Sequence, residues 1–246
     1  MTLNLTTLAS PGQSRYGTLA AALRQRVIEG EWHPGQMIPS EASLATSYGV
    51  ALGTLRQALA LLVQDGVLRR QHGKGTFVSR GLDNASMMRF FRFQSEEGIA
   101  STPDSRILHR QFRHPTSTEA KVFQIDASDQ VMQLERLRSL EGQPCLLETI
   151  VLPLPLFGAL ADSDTEGWDD LLYPMYQKKC RVLVHHAQDE LKFSKLNAKQ
   201  ASRLKLQVGH PCVLVERQAF DVGGRCIERR TTRGDAFSFT YMAHVK

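Results

Sequence analysis

Two arginines and a glutamate occupy positions where a strand would bury them. Between residues 131 and 138, alternation places Met132, Leu134, Arg136 and Arg138 on one face, so two cations follow two apolar side chains. In the next apolar stretch Glu148 stands between Leu146 and Ile150 on one face. A charge on an apolar face must be paired or serve a ligand, because isolated burial costs several kcal/mol. Two readings follow. One is a structural Arg–Glu salt bridge within a hairpin. The other is a polar pocket in which the arginines hold an anion and Glu148 a hydroxyl or an amine.

A second group with chemical potential lies in the first third of the chain. Thr54, Arg56 and Gln57 sit among regularly spaced leucines, and Arg69, Arg70, His72 and Lys74 follow within twenty residues. Of the formal net charge of +5, residues 1–80 carry +4, with eight Lys and Arg against four Asp and Glu, and residues 81–246 carry +1. Positive charge concentrated at one end points to nucleic acid.

The elements that must position this group are legible. From Tyr16 to Glu29, Leu19, Ala20, Leu23 and Val27 mark a helix with Arg24 and Arg26 outward. Gly30, Pro34 and Gly35 end it, and Ser40 caps a second helix that runs to about Tyr48. Gly49 supplies the turn. Leu55, Ala58, Leu59, Leu62 and Val63 then define a third helix, from Leu52 to near Asp65-Gly66. Val67–Gln71 and Thr76–Val78 read as strands joined by a glycine-rich turn, His72 to Gly75. Helix, turn, helix and basic hairpin make a winged helix-turn-helix. Its third helix offers Gly53, Thr54, Arg56 and Gln57 to the major groove. Its wing brings Arg69, Arg70, His72, Gly73 and Lys74 to the phosphates or the minor groove.

Ser79 to Ser86 has linker composition, which sets the domain boundary. Beyond it the chain repeats itself at an offset of 81 residues: Ala120 falls on Ala201, Phe123 on Leu204, Ile125 on Leu206, Glu135 on Glu216 and Arg136 on Arg217. Each copy reads as a short helix, a strand ending in Glu-Arg, a glycine turn and a second strand. Two such units build a largely antiparallel sheet.

Several function classes are disfavoured. The longest apolar stretch, Ile150 to Ala161, is interrupted by Pro153 and Pro155 and too short for a membrane span, and residues 1–13 lack the pattern of a secretory signal; the expected location is the cytoplasm. Cys145, Cys180, Cys212 and Cys226 are widely spaced and read as buried thiols. Gly73-Lys74-Gly75-Thr76 is not a phosphate loop, since Leu68 stands where its first glycine is needed. His186 and Glu190 have metal-ligand spacing on a helix but lack a third ligand nearby. No nucleophile–base pair is apparent, so no catalytic residue, metal or cofactor is expected.

The run Ile38-Pro39-Ser40-Glu41, Gly49-Val50, Thr54-Leu55-Arg56, Gly66-Val67-Leu68 and Gly73 to Val78 closely resembles the DNA-binding domain of the GntR family of bacterial transcription regulators. Ala42 and Leu52 stand where that family usually has arginines that touch DNA, which shifts base reading to Thr54, Arg56, Gln57 and the wing. Residues from about Met88 to Tyr241 resemble the ligand-binding UTRA domain of the HutC-type branch, similar in fold to chorismate lyase. The resemblance rests on Arg136, Arg138, Pro144, Glu148, Pro153, Glu228, Arg233-Gly234-Asp235 and Phe237. It implies an effector held by Arg136, Arg138, Glu148 and Arg233. Arg89 to Phe93 stands where relatives carry a serine-containing ligand loop, and its aromatics are expected in the core or the pocket wall.

The expected architecture is therefore α+β. Residues 1–13 form a flexible start, 14–79 the winged helix-turn-helix, including Ser40 at the DNA, 80–87 a linker, and 88–246 a chorismate-lyase-like antiparallel sheet with helices for effector binding and dimerisation. The expected partners are double-stranded operator DNA, a small anionic effector such as a sugar phosphate or carboxylate, and a second copy of the chain. The alternatives are a lyase-like enzyme fused to a DNA-binding domain and an architectural DNA-binding protein without a ligand.

Overall fold

The computed structural model describes residues 14–80 and 103–238. The chain divides into two units, Met1–Gly81 and Leu82–Lys246. Residues 1–13, the expected linker from Gly81 onward and the aromatic run Arg89–Phe93 lie outside the described residues.

In the first unit α1 spans Arg15–Ile28, α2 Glu41–Tyr48 and α3 Leu52–Gln64, followed by the hairpin β1 (Leu68–Gln71) and β2 (Gly75–Val78). Ser14 caps α1 by accepting the Gly17 N–H, and Ser40 caps α2 by accepting the Ser43 N–H. Gly49 ends α2 in the left-handed region at φ 62°, a conformation that glycine adopts without penalty. Leu19, Leu23, Leu44, Leu55, Leu59 and Leu62 from the three helices close one core over Leu68 and Val78 of the wing. Arg24 and Arg26 are less free than their spacing predicts. Arg24 pairs with Asp65, while Arg26 pairs with Glu31 and lies 4.3 Å over the Trp32 ring. The buried Trp32 draws Arg26 inward, a cation–π contact between residues six apart that helical periodicity does not report.

The second unit is a six-stranded antiparallel sheet with helices on both faces. In chain order it contains β3 (Asp104–Arg113), α4 (Ser117–Phe123), β4 (Val131–Leu140), β5 (Gln143–Pro153), a single turn α5 (Leu154–Phe157), α6 (Leu172–Cys180), β6 (His186–Lys195), α7 (Ala198–Leu204), β7 (Pro211–Phe220) and β8 (Cys226–Asp235). The strands are arranged β3-β4-β5-β8-β7-β6, an order that reads the same from either edge. The duplication seen in the sequence is thus a duplication of strand, helix and hairpin.

The helix caps repeat with it. Thr116 and Glu119 form a capping box on α4, Asn197 and Gln200 form one on α7, and each helix ends on a left-handed residue, Gln124 and Lys205. Glu135-Arg136 and Glu216-Arg217 lie in the middle of β4 and β7 rather than at their ends, because each strand continues past the pair into its hairpin. Helices α4 and α7 cover one face of the sheet through Phe123, Ala201 and Leu204; α5 and α6 cover the other through Phe157, Leu172, Met175 and Tyr176. Where β5 meets β8, a Cβ on Gly234 would stand 2.8 Å from the Leu146 side chain, so the glycine lets the two halves pack. Of the four thiols, Cys212 and Cys226 are buried, whereas Cys145 and Cys180 are half-buried.

Candidate functional site

In the first unit the described geometry gathers the candidate DNA-reading residues around Glu41. Leu55, Ala58, Leu59 and Leu62 turn into the core, which leaves Leu52, Gly53, Arg56, Gln57 and Ala60 exposed along the outer side of α3. Arg56 donates through Nε to Glu41 at 2.8 Å, and Arg70 of the wing stands 3.6 Å from the other oxygen of the same carboxylate. Thr54 is half-buried. His72, Gly73 and Lys74 are exposed at the wing tip, where the Lys74 N–H closes the turn onto Gln71 and Gly73 adopts a positive φ of 70°.

Two of the expected positions behave differently. Strand alternation sends Arg69 to the side of the wing away from Arg70, where it lies 5.4 Å over the Phe77 ring. The Ser40 hydroxyl is already engaged in capping α2.

In the second unit Arg136, Arg138 and Glu148 share one face of the sheet and are almost wholly buried, Arg136 with no exposed surface at all. The neighbouring strand β8 brings Arg230, Thr232 and Glu228 to the same face, and α6 lays Tyr173 and Tyr176 over them. Arg136 donates to Glu148 at 2.5 Å. The other Glu148 oxygen takes longer contacts of 3.4 Å each from Arg230 and from the Thr232 hydroxyl. Arg230 also donates twice to Glu228, at 3.0 and 2.9 Å, and the two tyrosine hydroxyls complete that carboxylate at 3.2 and 2.8 Å.

The salt bridge expected as one reading of Glu148 is therefore present, but the cluster does not balance. Among the described residues three guanidinium groups, of Arg136, Arg138 and Arg230, face two carboxylates, of Glu148 and Glu228, which leaves one surplus positive charge. Arg138 reaches no carboxylate among the described salt bridges; its Nη2 donates to the Pro103 carbonyl at 3.0 Å. Among the described residues its Nε, together with Nη2 of Arg136, is a buried donor with no acceptor.

Burial would raise the Glu148 carboxyl, yet the charges of Arg136, Arg230 and Arg138 outweigh it and hold the group at about 2. Arg138 moves the other way: burial first, and then the charges of Arg136 and Arg230, push it below its ordinary value despite Glu148. Buried donors are nearly always satisfied, so two arginine nitrogens without an acceptor among the described residues, on one face of β4, are chemically suited to an anion.

Arg233 is not brought to this cluster. Alternation along β8 turns it to the opposite face, beside Leu147 and Leu214, and Arg230 and Thr232 take the position expected for it. Sequence reasoning passed over Arg230, Tyr173 and Tyr176. Two tyrosines three apart on a buried helix face were an available signal, since buried hydroxyls need partners. That opposite face carries a polar groove of about 570 Å³ lined by residues such as Arg113, Gln133, Thr149, Glu216, Arg229 and Thr231. His186 and Glu190 belong to a strand and not a helix; His186 stacks on Phe220, and Asp189 is held at 2.7 Å by both arms of Arg217. Among the described residues no group of three His, Cys, Asp or Glu could hold a metal ion.

Comparison with known proteins agrees with this division of labour. Residues 15–78 match the bacterial regulatory proteins of the gntR family, and residues 100–239 match the UTRA domain. The chain is 27% identical to the HTH-type transcriptional repressor NagR of Bacillus subtilis, over 92% of this chain and 93% of that one. It is 28% identical to a probable fructoselysine utilization operon transcriptional repressor of Escherichia coli, over 85% of each.

Among solved structures, PhnF from Mycobacterium smegmatis superposes with a TM-score of 0.56 at 24% identity, over 92% of this chain and 98% of that one. The ligand-binding domain of a putative GntR-family regulator from Bordetella bronchiseptica gives 0.60 at 23%, over 64% and 98%. These are transcription regulators, and the reading as a lyase is set aside. With a winged helix at one end and this sheet at the other, the chain belongs to the GntR family of bacterial transcription regulators, in the HutC-type branch that carries a UTRA domain.

Proposed function

We propose that the protein is a cytoplasmic repressor whose grip on operator DNA is controlled by a small anion bound at Arg136 and Arg138. The observation that carries this reading is the pair of donors, Arg136 Nη2 and Arg138 Nε, that have no acceptor among the described residues, in a cluster whose described members carry one positive charge in excess. A phosphate or carboxylate would satisfy both nitrogens and cancel the surplus. Glu148, engaged by Arg136 and more loosely by Arg230 and Thr232, orients the Arg136 guanidinium so that Nη2 is left for the ligand. Two relatives are named for fructoselysine and for mannosyl-D-glycerate, which favours a sugar-derived anion as the effector class. One winged helix covers a half-site, so the working species is a homodimer on a near-palindromic operator.

A thermal-shift screen of sugar phosphates and sugar acids, followed by DNA titration with and without each hit, tests the proposal. A ligand at a hundred times its dissociation constant stabilises the protein by about 2.7 kcal/mol. A set in which no anion shifts the melting temperature or the DNA affinity contradicts it.

A further inference from the structure

We infer that Leu52 is a specificity-determining residue that reads a thymine of the half-site through its 5-methyl group, with Gly53 beside it letting the DNA come close. The inference rests on α3 being the helix that enters the major groove.

Two independent features of α3 support it. Leu52 is 39% exposed and lies outside the set Leu55, Ala58, Leu59 and Leu62 that fills the core, so the fold does not require a leucine there. A lone exposed leucine is ordinary, but its neighbour is not. Gly53 is the second residue of α3 and has no positive φ, and a Cβ built on it meets nothing within 4 Å. Alanine would fit, so neither space nor backbone dihedral within the described first unit calls for the glycine. Close approach by a partner from outside explains it.

The identity of that partner follows from the surroundings. Arg56 lies one turn along the same side of the helix, and Arg70 of the wing reaches the same Glu41 carboxylate that holds Arg56, so the helix side that carries Leu52 also carries the candidate DNA-reading cations. Exposed Ala51 and Ala42 add small apolar surface nearby in sequence and leave Leu52 without a competing polar side chain at either position. On the major-groove edges of the four base pairs, the apolar group that distinguishes one base is the thymine 5-methyl. A leucine with no role in the core, next to a bare backbone and among phosphate-binding cations, is suited to cover that methyl and to disfavour the polar edge of guanine.

The experiment starts by selecting operator sequences from randomised duplexes with the full-length protein. Each thymine of the selected half-site is then replaced by deoxyuridine, which removes only the methyl. Burial of one methyl corresponds to about fourfold in affinity, so the replacement in both half-sites should weaken binding about fifteenfold at one symmetric position. In Leu52→Ala that penalty should fall to less than about twofold, with an unchanged melting temperature. Gly53→Ala should weaken binding to the selected duplex while leaving or raising thermal stability. The inference is overturned if deoxyuridine is tolerated at every thymine, or if its penalty persists undiminished in Leu52→Ala. A pool from which no sequence is enriched would overturn the major-groove reading of α3 itself, and this inference with it.

Discussion

Glu41, at the start of α2, holds Arg56 of α3 through a 2.8 Å hydrogen bond. A carboxylate on a face that meets phosphates repels DNA unless its charge is used, and here it fixes the direction of Arg56 and draws Arg70 to 3.6 Å. Glu41→Ala should therefore leave both cations present but unaimed. Affinity for nonspecific duplex should rise or stay level while the ratio of specific to nonspecific binding drops about tenfold. Competition titrations at fixed salt measure that ratio, and an unchanged value would show that the bond is incidental.

The buried arginines predict opposite behaviour from two similar substitutions. Arg138 lacks a carboxylate partner among the described ion pairs, so Arg138→Met should leave stability unchanged or raise it while weakening the effector by about 2 kcal/mol or more. Arg136→Met breaks the bond to Glu148 and should lower stability by about 3 kcal/mol as well as removing the ligand response. Chemical denaturation and effector titration of the two variants provide the comparison. Equal destabilisation by both would reduce the cluster to a structural network.

Glu119 gives a pH test. The Arg113 hydrogen bond, opposed by burial and assisted by the Thr116 backbone, holds its carboxyl at about 2 against an ordinary 4.5. The group is lowered on folding, so its contribution is full above pH 4.5 and is lost as pH falls towards 2. Glu119→Gln should cost about 2 kcal/mol at pH 7, and the gap to the parent protein should close at about pH 2. A gap that stays constant across that range would reject the ionic origin of the contribution.

Lys74 at the wing tip should act through phosphate alone. Lys74→Ala is expected to weaken binding to all sequences alike and to reduce the slope of log affinity against log salt by about one. A change in the preferred sequence would instead place Lys74 at a base edge.

The elements that proved legible were those with a strong local cause. The leucine spacing of α3, the Ser40 cap and Gly49 are decided within a few residues, and they matched the helices found. The two-residue period of β4 and β5 placed Arg136, Arg138 and Glu148 on one buried face. What escaped depends on register between distant strands. Arg230 meets Glu148 across the β5–β8 pairing, 82 residues apart, and no local pattern reports which of Arg229, Arg230 and Arg233 turns inward. The same period that succeeded for Arg136 decides against Arg233, but only once its phase relative to β5 is known. Arg26 escaped because the Trp32 ring that holds it lies beyond the helix in which it was assigned to solvent.

The palindromic strand order has a consequence for how the arginine cluster came to be asymmetric. Arg136 faces Glu148 across one hairpin, and its counterpart Arg217 faces Arg230 across the other, so the two halves of the sheet put different charges at matching places. Asp189 at the outer edge absorbs Arg217, and Glu228 absorbs Arg230. The second half has thus become a neutral buttress, while Arg138 in the first keeps its charge in reserve. A ligand seated there would touch Arg136 and Arg138 from one copy of the repeat while Arg230 and Thr232 from the other copy brace Glu148 beneath it. Through Glu148 it would tie β4 to the seam between β5 and β8, so that binding at one copy of the repeat is felt at the join between the two.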